Sequence, residues 1–258
     1  MRHIGAVALN TFREAVRDRV LYNLVFFALL MIAAAILVGQ ISIGIEEIVI
    51  VSLGLSAISF VGLLIAIFIG VGLVSKEMDK RTLYALLAKP VRRWEFVVGK
   101  FAGLVLTLTV NTAAMAVALF LALLYVKHSL ERSDTAVLVA VYFIALKLAL
   151  VVALALLFSC ATTPLLSILY TAGLYIAGQF IQQMRTLRTD LMSPGLAAFM
   201  KWLSYVLPNF DNFDVVGAAA HGRGVPAALI WQNTAYAALY CAIVLLAAAA
   251  VFSRRNLK

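Results

Sequence analysis

The most unusual side chain in this sequence is Lys147, the one formal charge inside its long apolar runs. Burying a cation at the centre of a membrane helix costs about 2.5 to 3.5 kcal/mol, so some other group must offset that cost. Either Lys147 lines a wet pathway or binds an anionic substrate group, or it pairs with a polar group on a neighbouring helix, or the span is displaced by one turn. A similar choice, between a pathway and helix-to-helix hydrogen bonding, applies to three amides in these runs: Asn111, Gln179 and Gln182.

Groupings typical of enzymes are absent from the sequence. An intramembrane protease or a proton relay would need a base within the membrane, yet none of the three histidines lies in an apolar run: His3, His128 and His221. A phosphate-binding loop is excluded, because Trp94 stands where such a loop ending at Lys100 would need a glycine. The acidic cluster at 209–214 contains two phenylalanines and no loop glycine, which argues against calcium binding. We therefore expect neither catalysis nor a bound cofactor or metal in this chain.

The composition requires a membrane as solvent for most of the side chains. Hydrophobic residues make up 64% of the sequence and charged residues 13%, which no water-soluble domain of this size could bury. The apolar runs are continuous, which favours spanning helices over a barrel of alternating strands. The sequence thus predicts an all-α, polytopic membrane protein, one transmembrane domain over residues 1–258, with six spans at about 20–39, 48–74, 101–126, 136–158, 165–184 and 231–252.

Basic residues predict the orientation, because they are retained on the cytoplasmic side. If the N-terminus is cytoplasmic, 14 of the 21 Lys and Arg residues fall inside and six fall outside. Both termini are then cytoplasmic, and the expected location is the cytoplasmic (inner) membrane. The net charge of +9 is explained by topology and by attraction to anionic lipid, and nucleic acid is not an expected partner.

A charged island at 75–100 carries seven of the basic residues between two apolar runs. Leu83, Leu86 and Leu87 share one face of a short amphipathic helix, which Pro90 ends. A second short segment at 92–100 is expected to re-enter the membrane. Because it is cytoplasmic, the island is the expected contact point for a soluble partner.

Three other segments complete the predicted architecture. Residues 1–19 form an amphipathic helix suited to the membrane interface. The run at 48–74 is about 40 Å long as a helix, so it must tilt or project towards the charged island. The segment 185–230 is too long to be a simple connection, and it is expected to form helices on the external side.

The chain resembles the permease subunit of type-2 ABC exporters. The island carries the series that is similar to the family pattern: Glu77, Thr82, Leu83, Leu86, Leu87, Pro90, Val91, Arg93, Gly99 and Lys100. Residues 11–22 also resemble the interfacial elbow helix of that family, and Arg81 departs from the pattern where glycine is common. A weaker resemblance points to the permease group linked to maturation of nitrous oxide reductase.

The resemblance implies a fold and a mechanism. The short helix of the island would be a coupling helix that docks on a separate cytoplasmic ABC ATPase, which binds ATP and Mg²⁺. The docking residues implied are Glu77, Lys80, Arg81, Thr82, Leu83, Leu86, Leu87 and Pro90. A second permease copy, identical or paralogous, would complete an ATP-driven exporter in contact with membrane lipid, and the segment 185–230 would supply re-entrant helices. The alternative is an ATP-independent scaffold or assembly factor that recruits a cytoplasmic partner.

Overall fold

A computed structural model describes residues 2–42, 44–79, 92–127, 135–181, 195, 202 and 207–254. These residues contain helices and no β-strand, which confirms the all-α class for the described part of the chain. The helices are α1 Arg2–Val16, α2 Arg19–Ile41, α3 Glu46–Asp79, α4 Arg93–Lys127, α5 Thr135–Ala161, α6 Pro164–Gln179, α7 Val216–Ala220 and α8 Ala227–Arg254, with a 3-10 helix at Asp211–Phe213.

Five helices of the described ranges are long and apolar enough to cross a membrane. The apolar stretches are Leu24–Ile41, Glu46–Leu73, Trp94–Lys127, Thr135–Ala161 and Ala227–Ser253. They correspond to five of the six predicted spans. The chain is therefore a multi-pass membrane protein.

The remaining predicted span, at 165–184, contains α6. This helix has 16 residues and is about 24 Å long, shorter than a hydrocarbon core of about 30 Å. Near its end, the carbonyl oxygen of Gly178 accepts a hydrogen bond from the Phe210 backbone N–H at 3.2 Å. Residues 182–184 lie outside the described part of the chain, so this span stays a prediction.

The two helices next to the island are longer than the spans predicted within them. α3 has 34 residues and is about 51 Å long. α4 begins at Arg93 and is continuous to Lys127, so residues 93–100 are its first part and belong to the same helix as the predicted span. The Glu95 side chain accepts a hydrogen bond from the Arg92 backbone N–H at 3.1 Å, a helix-start arrangement that satisfies a free backbone donor.

The predicted N-terminal helix is present as α1, and it packs along the first turns of α4. Gly99 and Gly103 of α4 allow the two backbones to approach closely. Lys100 lies between them almost fully buried, with its ammonium 3.7 Å from the Glu14 carboxylate. These contacts bury the side chain of Lys100, which the sequence had placed with the cytoplasmic charges of the island.

Helix α5 is the centre of the bundle and contacts α3, α4, α6 and α8. Its side chains are mainly Ala, Val and Leu and most of them are buried, as expected for a helix largely surrounded by others, although Leu138 and Tyr142 in its first half are exposed. A buried helix of this kind keeps its few polar side chains away from lipid. Lys147 lies at the middle of α5.

Candidate functional site

A cavity of about 620 Å³ lies between α3, α5, α6 and the segment that leads into α7. It is within the size range of small-molecule sites. Its polar lining residues are Ser56, Ser59, Lys147, Tyr175, Gln179 and Asp214. Its larger apolar lining residues are Phe60, Leu63, Leu64, Ile67 and Ile176.

Lys147 reaches this cavity from α5 and is 4% exposed. Its Nζ donates a hydrogen bond to the Ser59 Oγ of α3 at 2.7 Å. An ammonium carries three N–H donors, and within the described ranges Ser59 is its one hydrogen-bond acceptor. The lysine is thus partly satisfied by the neighbouring helix, while the rest of its donor capacity remains available at the cavity.

Asp214 brings a negative charge to the same cavity. It follows the 3-10 helix, and its Oδ1 accepts a hydrogen bond from the Val216 backbone N–H at 3.2 Å. Its carboxylate interacts electrostatically with Lys147, although the two form no ion pair in the part of the chain that the structure describes. The cavity therefore holds two opposite charges that do not touch.

The segment 207–220 is held inside the bundle by aromatic packing. The Phe213 ring is 1% exposed and lies 6.4 Å from the Phe143 ring of α5. The Phe210 ring lies 5.0 Å from the Tyr175 ring of α6. Phe143 is about 12 Å along α5 from its first residue, so this segment enters the bundle and does not rest on its end.

Hydrogen bonds from α8 fix the same segment. The Tyr236 hydroxyl accepts a bond from the Asn209 backbone N–H at 3.0 Å, and the Asn233 side chain donates to the Asn212 carbonyl at 2.8 Å. The Asn209 and Asn212 side chains also bond to each other at 3.1 Å. Asparagines of the predicted acidic cluster therefore bind protein groups, and they position Asp214 next to the cavity.

The structure brings together two of the four predicted polar positions. Lys147 and Gln179 line one cavity, and Gln179 donates a hydrogen bond to the Tyr175 hydroxyl at 2.9 Å. Asn111 is buried in α4 away from this cavity, and its Nδ2 has no partner among the described residues. Gln182 lies outside the described residues.

The predicted ATPase-coupling residues fall mostly beyond the described ranges. Glu77 belongs to the last turns of α3. The others lie outside the described part of the chain: Lys80, Arg81, Thr82, Leu83, Leu86, Leu87 and Pro90. What the structure defines is the pair of helices, α3 and α4, that leads into this segment and out of it.

A sequence comparison agrees with this architecture. The family model described as "ABC-2 family transporter protein" matches residues 5–257, which is nearly the whole chain. The chain belongs to the ABC-2 transporter family. A search of curated proteins returns no significant match. As an ABC-2 permease, the protein is a membrane transport component, and its cavity lies among the helices expected to span the bilayer.

Two residues of the site were not expected from the sequence. Asp214 was noted as part of an acidic cluster and not as a neighbour of Lys147, and Tyr175 was not singled out. The signal for Asp214 was the mixture of phenylalanines and polar residues in 209–214, which is unusual for a solvated loop. In this ABC-2 permease that mixture marks a segment with aromatic side chains buried in the bundle.

Proposed function

We propose that the chain is the transmembrane permease subunit of an ATP-driven exporter, powered by a separate cytoplasmic ATPase. The observation that carries the proposal is the match of the ABC-2 family over residues 5–257, since permeases of this family generally work with an ATPase partner. ATP and Mg²⁺ are bound by that partner, because the sequence of this chain has no phosphate-binding loop.

Helices α3 and α4 support a coupling role for the segment between them. Both exceed the hydrocarbon thickness of about 30 Å, with 34 and 35 residues respectively. A stiff helix on each side allows a push on residues 80–91 to reach the bundle. Glu77 and Arg81 are proposed to contact the ATPase, together with the other coupling residues predicted from the sequence.

The proposed topology has six spans with both termini in the cytoplasm of the inner membrane. In this arrangement α6 and the residues after it form the fifth span, and α1 lies at the cytoplasmic interface. The external segment then returns into the bundle at 207–220, and the burial of Phe210 and Phe213 supports a re-entrant role for it.

The functional unit is proposed to be a dimer, of two identical copies or of two paralogues. Exposed apolar side chains on α6 support this: Leu165, Leu169 and Ile176. These side chains contact either lipid or the second permease. Membership of the group linked to nitrous oxide reductase maturation is a finer proposal, which the adjacent genes would test.

Co-purification with the candidate ATPase tests the function. The wild-type chain should form a stable complex and change the ATP turnover of the ATPase. Charge reversal by Glu77→Lys and Arg81→Glu should weaken both, because the contact depends on the coupling segment. Arg223→Glu is the matched control, since this exposed arginine lies in the external segment.

Two results would argue against the exporter. The first is the absence of any complex. The second is a complex whose ATP turnover is the same with and without the permease, which would favour the ATP-independent scaffold. A complex that tolerates both reversals would place the contact outside the proposed coupling segment.

A further inference from the structure

The charges of the cavity are arranged as two separate sites. Lys147 is deep, with one hydrogen bond to Ser59, while Asp214 is an exposed residue on the external segment. No ion pair joins them in the described ranges. A buried charge is costly unless another group pairs with it, so the Lys147 site favours an anionic ligand group. The exposed Asp214 carboxylate lines the same cavity and attracts a cationic group by its charge.

The apolar lining of the cavity includes exposed side chains on both α3 and α6. Phe60 of α3 is 54% exposed and Ile176 of α6 is 56% exposed, and both also line the cavity. Leu63 and Leu64 are half-buried in between. A hydrocarbon chain that begins near Lys147 therefore has an apolar path along α3 and a way out of the cavity towards lipid.

We infer that the cavity binds an amphiphile whose head group carries both an anionic and a cationic centre. The anionic centre binds the Lys147 ammonium beside the Ser59 hydroxyl, and the cationic centre faces the Asp214 carboxylate. The hydrocarbon chain lies against Phe60, Leu63 and Ile176. This inference rests on the proposed transport function and names the class of its substrate.

Simpler head groups fit the two charges less well. A purely anionic head would be attracted by Lys147 and repelled by Asp214. A purely cationic head would be attracted by Asp214 and repelled by Lys147, which is buried at the deep end of the cavity. A neutral head would pair neither charge, and hydrogen bonds between a ligand and a charged group are stronger than those between neutral groups.

Photo-crosslinking to the purified full chain tests the inference directly. The probes share one dodecyl chain with a diazirine and differ in the head group, which is phosphocholine, phosphate or trimethylammonium. Glycerophosphocholine, which has no hydrocarbon chain, serves as the soluble competitor. The protein is kept in maltoside detergent without ATPase or ATP, and crosslinked peptides are mapped by mass spectrometry.

The phosphocholine probe should crosslink at the lowest concentration and map to α3 and α6. Lys147→Met should weaken it at least about tenfold, while Lys147→Arg, which keeps the charge, should stay within about threefold of wild type. Asp214→Asn should weaken the phosphocholine probe about fivefold, since its charge is exposed, and should strengthen binding of the phosphate probe. Glycerophosphocholine should not compete at probe concentrations.

Matched variants control for general effects of charge removal. Lys127→Met removes a lysine that pairs with Glu47 and does not line this cavity. Asp211→Asn removes a carboxylate of the external segment that does not line it either. Both should leave crosslinking of the phosphocholine probe unchanged. Full crosslinking in these two variants shows that they are folded and that removing a charge elsewhere does not weaken binding.

Several outcomes would overturn the inference. Equal crosslinking by all three head groups, or the strongest crosslinking by the phosphate probe, contradicts a zwitterionic site. Competition by glycerophosphocholine as strong as that by the probe contradicts an amphiphile. The crosslinking assay contains no ATPase, so it is independent of the co-purification test. If crosslinking fails but the ATPase complex forms, the proposed substrate class alone is wrong. If crosslinking is selective for the head group but no ATPase complex forms, the proposed exporter function alone is wrong.

Discussion

Replacing Gly103 with alanine should force α1 away from α4. A Cβ at this position would lie 2.5 Å from the Ala8 carbonyl oxygen and 2.6 Å from the Thr11 Cβ. The nearest of these atoms belongs to the α1 backbone, so rotation of a side chain cannot relieve the clash. Helix α1 as a whole has to move by about 1 Å to restore ordinary packing distances.

The change in stability caused by Gly103→Ala is the sum of two opposing effects. Overpacking a tight contact costs about 1 to 3 kcal/mol, and contact with backbone atoms places Gly103 in the upper part of that range. Alanine is favoured over glycine in a helix by about 0.8 to 1 kcal/mol, which offsets part of the cost. We expect a net loss of about 1 to 2 kcal/mol in stability. Gly5→Ala in α1 has no atom within 4 Å of its new Cβ, so it should gain stability.

Thermal unfolding in detergent, combined with thiol labelling, measures this effect. Thr11 of α1 is fully buried against α4, so a Thr11→Cys reporter, with Cys160 and Cys241 replaced, should react slowly with a water-soluble reagent. Gly103→Ala should lower the unfolding midpoint and accelerate labelling at position 11. Equal midpoints and labelling rates for Gly103→Ala and Gly5→Ala would refute the close packing of α1 on α4.

Three further predictions concern the cavity and its surroundings. Ser59→Ala should lower the free energy of unfolding by about 1 to 3 kcal/mol, because it removes the hydrogen-bond acceptor of a buried ammonium. The double variant Ser59→Ala with Lys147→Met should recover most of that loss. Phe213→Ala should cost about 3 to 5 kcal/mol, measured by the same unfolding assay, and a loss below about 1 kcal/mol would contradict burial of the segment 207–220. Glu47→Gln should change stability by less than about 1 kcal/mol, because its partner Lys127 lies at a partly exposed helix end; a larger loss would show that this ion pair is shielded from solvent.

Hydrophobic run length predicted the helical architecture well. Five apolar runs became helices able to cross a membrane, because continuous apolar side chains and backbone hydrogen bonding leave few alternatives to a helix. The helix ends were less predictable. The sequence assigned Lys100 to the cytoplasmic surface by its charge. Its packing against α1, which includes Glu14, explains why this side chain of α4 is buried.

The candidate site was predictable in part for a similar reason. A lysine in an apolar run stands out in any sequence, so Lys147 was identified, and Gln179 was found among the polar residues of another run. The neighbouring position of Asp214 depends on how 207–220 folds back into the bundle, through contacts such as Phe213 with Phe143. Such contacts join residues far apart in the chain, and residue spacing carries no information about them.

In the proposed exporter, ATP hydrolysis by the partner ATPase changes the access of water to this cavity. The direct measurement is thiol labelling of Lys147→Cys, with Cys160 and Cys241 replaced, in the reconstituted ATPase complex with no nucleotide, with ATP and in a vanadate-trapped state. Ala153→Cys, fully buried in the same helix and not lining the cavity, is the control and should stay unreactive throughout. We expect labelling at position 147 to differ between nucleotide states and Arg81→Glu to abolish the difference; the same labelling rate in all three states would contradict ATP-driven access.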